Sequence, residues 1–246
     1  MAEFKTIGTT TASGARAQID QGLRTHMNKV YGTMSVGMLL TFLVAWAVGT
    51  SPDLFNILRD PTTGSMTILG WVVMFAPLIM VFAFSAMINK FSAAAAQAFF
   101  YAFAAVMGLS LAWIFVAFTG MSIAQVFLVT SISFAALSLY GYTTKKDLSA
   151  MGTFLMMGVI GLIVASVINI FIGSPAIMFA ISILGVLIFA GLTAYDTQSI
   201  KNEYIEHARH ADSEWLGKSA IMGALRLYLD FINMFMFLLQ LFGNRN

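Results

Sequence analysis

Residues 151–172 read MGTFLMMGVIGLIVASVINIFI, an unbroken apolar run without a charged residue. A helix needs about 20 mostly apolar residues to cross the hydrocarbon core of a bilayer, whereas a barrel strand needs about 10 that alternate. This run is continuous and twice the strand length, so it reads as a spanning helix. Gly173-Ser174-Pro175 ends it and puts a proline at the start of the next helix, where its missing N–H costs nothing. The same reading on either side gives seven runs: Val30 to Gly49, Thr67 to Ile88, Ala98 to Phe118, Met121 to Tyr142, Met151 to Ile172, Ala176 to Asp196, and Ser219 to Phe242. Irregular backbone facing lipid would leave its polar groups unpaired, so helix is the natural form of each.

The predicted fold is therefore an all-α membrane protein of seven transmembrane helices. Ser51-Pro52-Asp53 and Asp60-Pro61 punctuate the first loop, Thr119-Gly120 makes a tight turn, and Pro77 predicts a kink in the second helix. No internal repeat or linker divides the chain. A polar tail, residues 1–28, precedes one membrane domain, residues 29–246.

Composition agrees. Hydrophobic residues make up 59% of the 246, charged residues 10%. A soluble domain carries about 25% charged residues. A net charge of +2 gives no basis for a nucleic-acid partner. The absence of cysteine excludes disulfides, thiolate metal sites and cysteine nucleophiles. No apolar run lies near Met1, so no cleavable signal peptide is expected. Ten lysines and arginines fall on the side of the N-terminal tail and two on the other, with Arg226 inside the seventh run. The positive-inside rule then predicts a cytoplasmic N-terminus and an external C-terminus.

Within the runs only Asp196, Arg226 and Asp230 are charged. Each costs about 2.5–3.5 kcal/mol at a helix centre. Asp196 closes the sixth run. In the seventh, Arg226, Asp230, Asn233 and Gln240 fall at i, i+4, i+7 and i+14, with Phe237 in the same row. That stripe should face other helices or a water-filled cavity. The cheaper register keeps Arg226 at the headgroups and Asp230 about 6 Å further in, where it can meet Asp196.

Two readings of these charges stand side by side. In one, Asp196 and Asp230 form a coupled pair that resists double ionisation and shares a bridging proton. Deprotonated, it would repel itself and attract a hard divalent cation; two carboxylates supply at most four of the 6–8 oxygens calcium takes, so binding would be weak. In the other, Asp230 pairs with Arg226 at i, i+4, and Asp196 caps a helix end.

Weaker candidates remain. Glu203, Glu206, His207 and His210 have spacing that could ligate zinc, or form a solvated helix extension. His26 has no obvious partner. Gly108-Leu109-Ser110-Leu111 lacks the second glycine of a nucleophile elbow, and no histidine or glutamate lies inside a span, so the chain does not read as an enzyme. Gly152, Gly158, Gly161, Gly185 and Gly191 read as sites of close helix approach.

Three segments carry a family likeness: Lys145-Lys146-Asp147-Leu148-Ser149; Ala194-Tyr195-Asp196-Thr197-Gln198-Ser199-Ile200-Lys201; and Leu227-Tyr228-Leu229-Asp230-Phe231-Ile232-Asn233, followed by Leu238-Leu239 and Leu241-Phe242-Gly243. The chain resembles bacterial members of the Bax inhibitor-1, or transmembrane Bax inhibitor motif, family. The resemblance implies six helices around a central seventh, no tightly bound cofactor, and a pH-sensitive calcium leak whose sensing aspartates map onto Asp196 and Asp230. Membrane lipid and calcium ions are the partners so implied. It also implies an arginine latch at the end of the second helix. Here that region reads Ala86-Met87-Ile88-Asn89-Lys90-Phe91, with no arginine. Lys90, which lacks the bidentate fork, or Arg226 would have to serve. Other relatives are partners of a membrane-bound, ATP-dependent protease; the tail, Met1 to Asn28, is long enough to be the ligand in that role. A proton-coupled transporter ranks lowest, for want of a substrate pocket in the sequence.

Overall fold

The structure is a computed structural model and describes residues 4–207 and 212–246, with side-chain surroundings from Ile19 onward. Its regular structure there is helical, apart from two isolated β-bridges, Arg59 with Met66 and Phe118 with Arg245. Seven helical segments are long and apolar enough to cross a membrane. In chain order the helices are α1 (Phe4–Gly49), a short α2 (Pro52–Leu58), α3 (Ile68–Met87), α4 (Ala93–Leu111), α5 (Ile114–Ala117), α6 (Gly120–Thr143), α7 (Ser149–Ile172), α8 (Pro175–His207) and α9 (Ser213–Phe242). The third span is shared by α4 and α5.

The ends are set by local chemistry. The side chains of Thr67, Ser92, Thr119 and Asp212 each accept a hydrogen bond from the backbone N–H three residues on, capping α3, α4, α6 and α9. Gly173 closes α7 at φ +67°, a left-handed conformation that glycine adopts without steric cost. Pro175 opens α8. Pro77 lies inside α3, whose helix runs through it from Ile68 to Met87.

Two helices outrun by more than ten residues the apolar runs that announce them. The polar segment before Val30 is continuous with the first span in a single 46-residue helix. The cause is an apolar row at helical spacing that runs from the polar segment into the span: Leu23, Met27, Val30 and Met34 are all buried. The sixth run was expected to end at Asp196, but α8 continues to His207. Thr197, Gln198, Ile200 and Tyr204 of that continuation are buried, so packing rather than lipid holds these turns. The two extensions meet: the His26 ring lies 4.9 Å from that of Tyr204. His26, for which the sequence offered no partner, is thus a buried residue of the α1–α8 contact.

α9 packs mainly against α8, α1, α6 and α4. Its most apolar window is 67% buried, against 17–33% for the other spans, so this helix is the best shielded from lipid. Its face opposite the polar stripe is no lipid face either: Leu227, Tyr228, Phe231, Phe235 and Leu239 are buried. α3 and α7, by contrast, present Ile79, Phe82, Phe154 and Phe171 outward, as suits helices wetted by lipid.

Candidate functional site

The polar stripe of α9 faces α8 along its whole length, and the two helices run antiparallel. Arg226 meets Glu203, with 3.7 Å between Nη1 and Oε2. Asp230 faces Asp196 across the interface. Phe237 lies over Gly185, where a Cβ would sit 2.5 Å from the ring, and stacks on Phe189 with centroids 6.0 Å apart. Gln240 accepts a 2.9 Å hydrogen bond from Ser182. Asn233 turns back on its own helix, donating to the Leu229 carbonyl at 2.8 Å.

The i, i+4 ion pair between Arg226 and Asp230 is therefore not formed; the guanidinium reaches across to α8 instead. Nor does Asp196 cap a helix end, because α8 carries on for eleven residues beyond it. Asp230 is 4% exposed, and its Oδ2 has no hydrogen-bond partner. Asp196 is half-buried. Lys90 stands exposed in a 3₁₀ turn, Ile88–Lys90, and makes no bond to the pair.

The motif around Asp196 is spent residue by residue. The Tyr195 ring lies where a Cβ on Gly152 would be. The Thr197 hydroxyl pairs with Ser138 at 2.9 Å, and Ser138 with Tyr31 at 2.5 Å, linking α8, α6 and α1. The Gln198 amide accepts from the Leu148 N–H and donates to the Lys146 carbonyl, each at 2.8 Å. Lys201 donates to the Tyr142 carbonyl at 2.7 Å. Two of the three familiar segments are thus bonded to each other through Gln198. On α9, the fully buried Tyr228 holds Thr41 at 2.7 Å and packs edge-on against Phe100 and Phe103. Phe231 packs on Phe127 and Phe134. These neighbours fix the rotation of α9 and hence the direction in which Asp230 points.

Among the described residues the possible zinc ligands do not converge. Glu203 takes Arg226; His207 Nδ1 lies 2.9 Å from the Glu203 carbonyl, and its ring stacks on Trp215 at 4.8 Å. His210 lies outside the described residues. Among the described residues no three histidines or carboxylates are placed to hold a metal ion. Of the glycines read as contact sites, Gly152, Gly158, Gly185 and Gly191 do face a neighbouring side chain, whereas Gly161 has nothing within 4 Å. Gly141 went unread, yet a Cβ there would overlap the Ala194 carbonyl of α8.

The molecule is thus a multi-pass helical membrane protein with a carboxyl pair at the interface of its last two long helices. A family model described as "Inhibitor of apoptosis-promoting Bax1" matches residues 23–246. The chain belongs to that family, the Bax inhibitor-1 family. It is 46% identical over 224 residues to the inner membrane protein YbhL of Escherichia coli K12, covering 91% of this chain and 93% of the relative. It is similar to an uncharacterized protein of Caulobacter vibrioides, 43% identical over 235 residues (94% and 93% covered). It is also similar to the uncharacterized protein RP147 of Rickettsia prowazekii, 39% identical over 238 residues (96% and 97% covered).

Proposed function

We propose that this protein is a pH-sensitive cation leak of the bacterial inner membrane, with calcium as its cargo and the Asp196–Asp230 pair as its sensor. The observation that carries the reading is the unpartnered Oδ2 of Asp230, buried beside a second carboxyl group. An ionised carboxylate at such a place is costly, and two side by side are worse: unit charges about 4 Å apart repel by roughly 4 kcal/mol at an effective dielectric of 20. One shared proton removes that repulsion and bridges α8 to α9. Its loss pushes the two helices apart and creates an anionic spot that a partly hydrated divalent cation can occupy in passing.

The location in the inner membrane rests on the E. coli relative, whose name states it, and on the seven apolar helices. The cytoplasmic N-terminus rests on the distribution of lysine and arginine.

The test is calcium flux into liposomes holding the purified protein, from about pH 8 to 6, beside an Asp196→Asn/Asp230→Asn protein. Flux that varies with pH, and loses that dependence in the variant, is expected. Folded wild-type protein with no flux above empty liposomes would overturn the leak and favour a non-conducting regulator of a membrane protease.

A further inference from the structure

α1 and α6 are tied at one point, the Tyr31–Ser138 hydrogen bond, and leave a long groove between them floored by Phe231, Ile232 and Phe235 of α9. It runs from Gly120 to Tyr142 along α6, about 33 Å at 1.5 Å per residue, the thickness of a hydrocarbon core. Its volume is 1320 Å³. Its length and its apolar lining suit extended acyl chains.

Several of the polar side chains in the wall are satisfied within the protein. Thr41 donates to backbone carbonyls and pairs with Tyr228, Ser131 donates to the Phe127 carbonyl, and Ser138 is held between Tyr31 and Thr197. Among the described residues the only charged one in the lining is Arg24, exposed at one end beside Asn28. That end collects more positive charge. Lys201 reaches the Tyr142 carbonyl, and Lys145 and Lys146 follow in the loop, while Asp147 is turned to the Ser149 amide. A hydrocarbon-lined channel the depth of one leaflet or more, with cations at one mouth, is complementary to an amphiphile with an anionic head.

We propose that the α1–α6 groove binds an anionic phospholipid, its phosphate at Arg24 and an acyl chain against Phe231 and Phe235. The assignment does not rest on the leak: it would hold for a non-conducting protein.

The full chain, purified in detergent, is offered phosphatidylglycerol or phosphatidylcholine with identical acyl chains, and bound lipid is counted by native mass spectrometry. Two variants test the two ends of the argument: Ala135→Trp fills the groove, and Arg24→Gln removes the cation. Ala136→Trp, exposed on α6 but outside the groove, is the control. Wild type and control should retain about one phosphatidylglycerol and several-fold less phosphatidylcholine. Ala135→Trp should retain neither, and Arg24→Gln should lose most of the preference for phosphatidylglycerol. Equal retention of both lipids by wild type, or undiminished phosphatidylglycerol on folded Ala135→Trp, would overturn the proposal. Should Ala135→Trp not fold, Arg24→Gln decides alone: an unchanged preference for phosphatidylglycerol counts against the site. A protein helix found in the groove with lipid excluded would also overturn it.

Discussion

Arg226 of α9 reaches Glu203 of α8 at 3.7 Å and leaves Asp230, one turn along its own helix, to face Asp196. The pair is a third or more exposed on both sides, so by itself it adds at most about 1 kcal/mol. Its effect is positional: it keeps the guanidinium near the carboxyl pair without letting it neutralise either member directly. Replacing Arg226 by Gln should therefore cost little in melting temperature and, for the leak proposed above, move the pH midpoint of flux upward, because a nearby cation favours the charged form of a carboxyl pair. A midpoint that stays put would show that Arg226 does not bear on the sensor.

At Gly141 the backbones of α6 and α8 approach directly, with the Ala194 carbonyl filling the place of a side chain. Gly141→Ala should destabilise by about 1–3 kcal/mol, since backbone must move to admit one methyl. Gly161→Ala, with nothing within 4 Å, should leave the melting temperature in detergent unchanged or slightly higher. Equal effects at the two sites would count against the α6–α8 contact as described.

Tyr228 is fully buried and its hydroxyl is held by Thr41. Tyr228→Phe removes one hydrogen bond, while Thr41 keeps its bonds to the Gly37 and Ala104 carbonyls. A loss of about 0.5–1.5 kcal/mol is expected. Tyr228→Ala also empties the space between Phe100 and Phe103 and should cost about 3–5 kcal/mol. Urea unfolding in mild detergent separates the two.

Asp60 lies in the first loop, outside the spans, where its carboxylate accepts from the Thr62 hydroxyl and from the Thr62 and Thr63 amides. These bonds, the Thr62 hydroxyl first, hold its pKa below the ordinary aspartate value. A depressed carboxyl orders the loop fully above that ordinary value, and the contribution fades as pH falls through the lowered one. Hydrogen exchange should show Thr62 and Thr63 amides protected at neutral pH, losing protection only under acid. In Asp60→Ala the protection should be absent throughout.

Periodicity alone fixed the number and order of the spans, because a bilayer demands long apolar runs and little else produces them. The same logic misplaced the ends of α1 and α8. Hydropathy is blind to a polar segment that packs on another polar segment, and His26 against Tyr204 is such a contact. The stripe Arg226, Asp230, Asn233, Gln240 was readable as a face, and the cost of buried charge singled out Asp196 and Asp230. What periodicity could not supply was the partner of each stripe residue. Both Glu203 and Asp230 lie within reach of a guanidinium on α9, and only the extension of α8 past Asp196 makes Glu203 available. The groove was illegible for a related reason: it exists because α1 and α6 diverge, and divergence leaves no mark on either helix alone.

The antiparallel register of α8 and α9 limits how the carboxyl pair can come apart. Contacts run in step from Arg226–Glu203 through Asp230–Asp196 to Gln240–Ser182. Sliding α9 by one turn, about 5.4 Å, would set Asp230 level with the neighbourhood of Ile200 or of Leu192, both apolar and buried. Neither place can host a charge, and every other rung of the ladder would be mismatched at the same time. Axial travel is thereby blocked in both directions. Twisting and splaying are the remaining freedoms, so any switch at this interface works as a hinge or a screw and never as a piston.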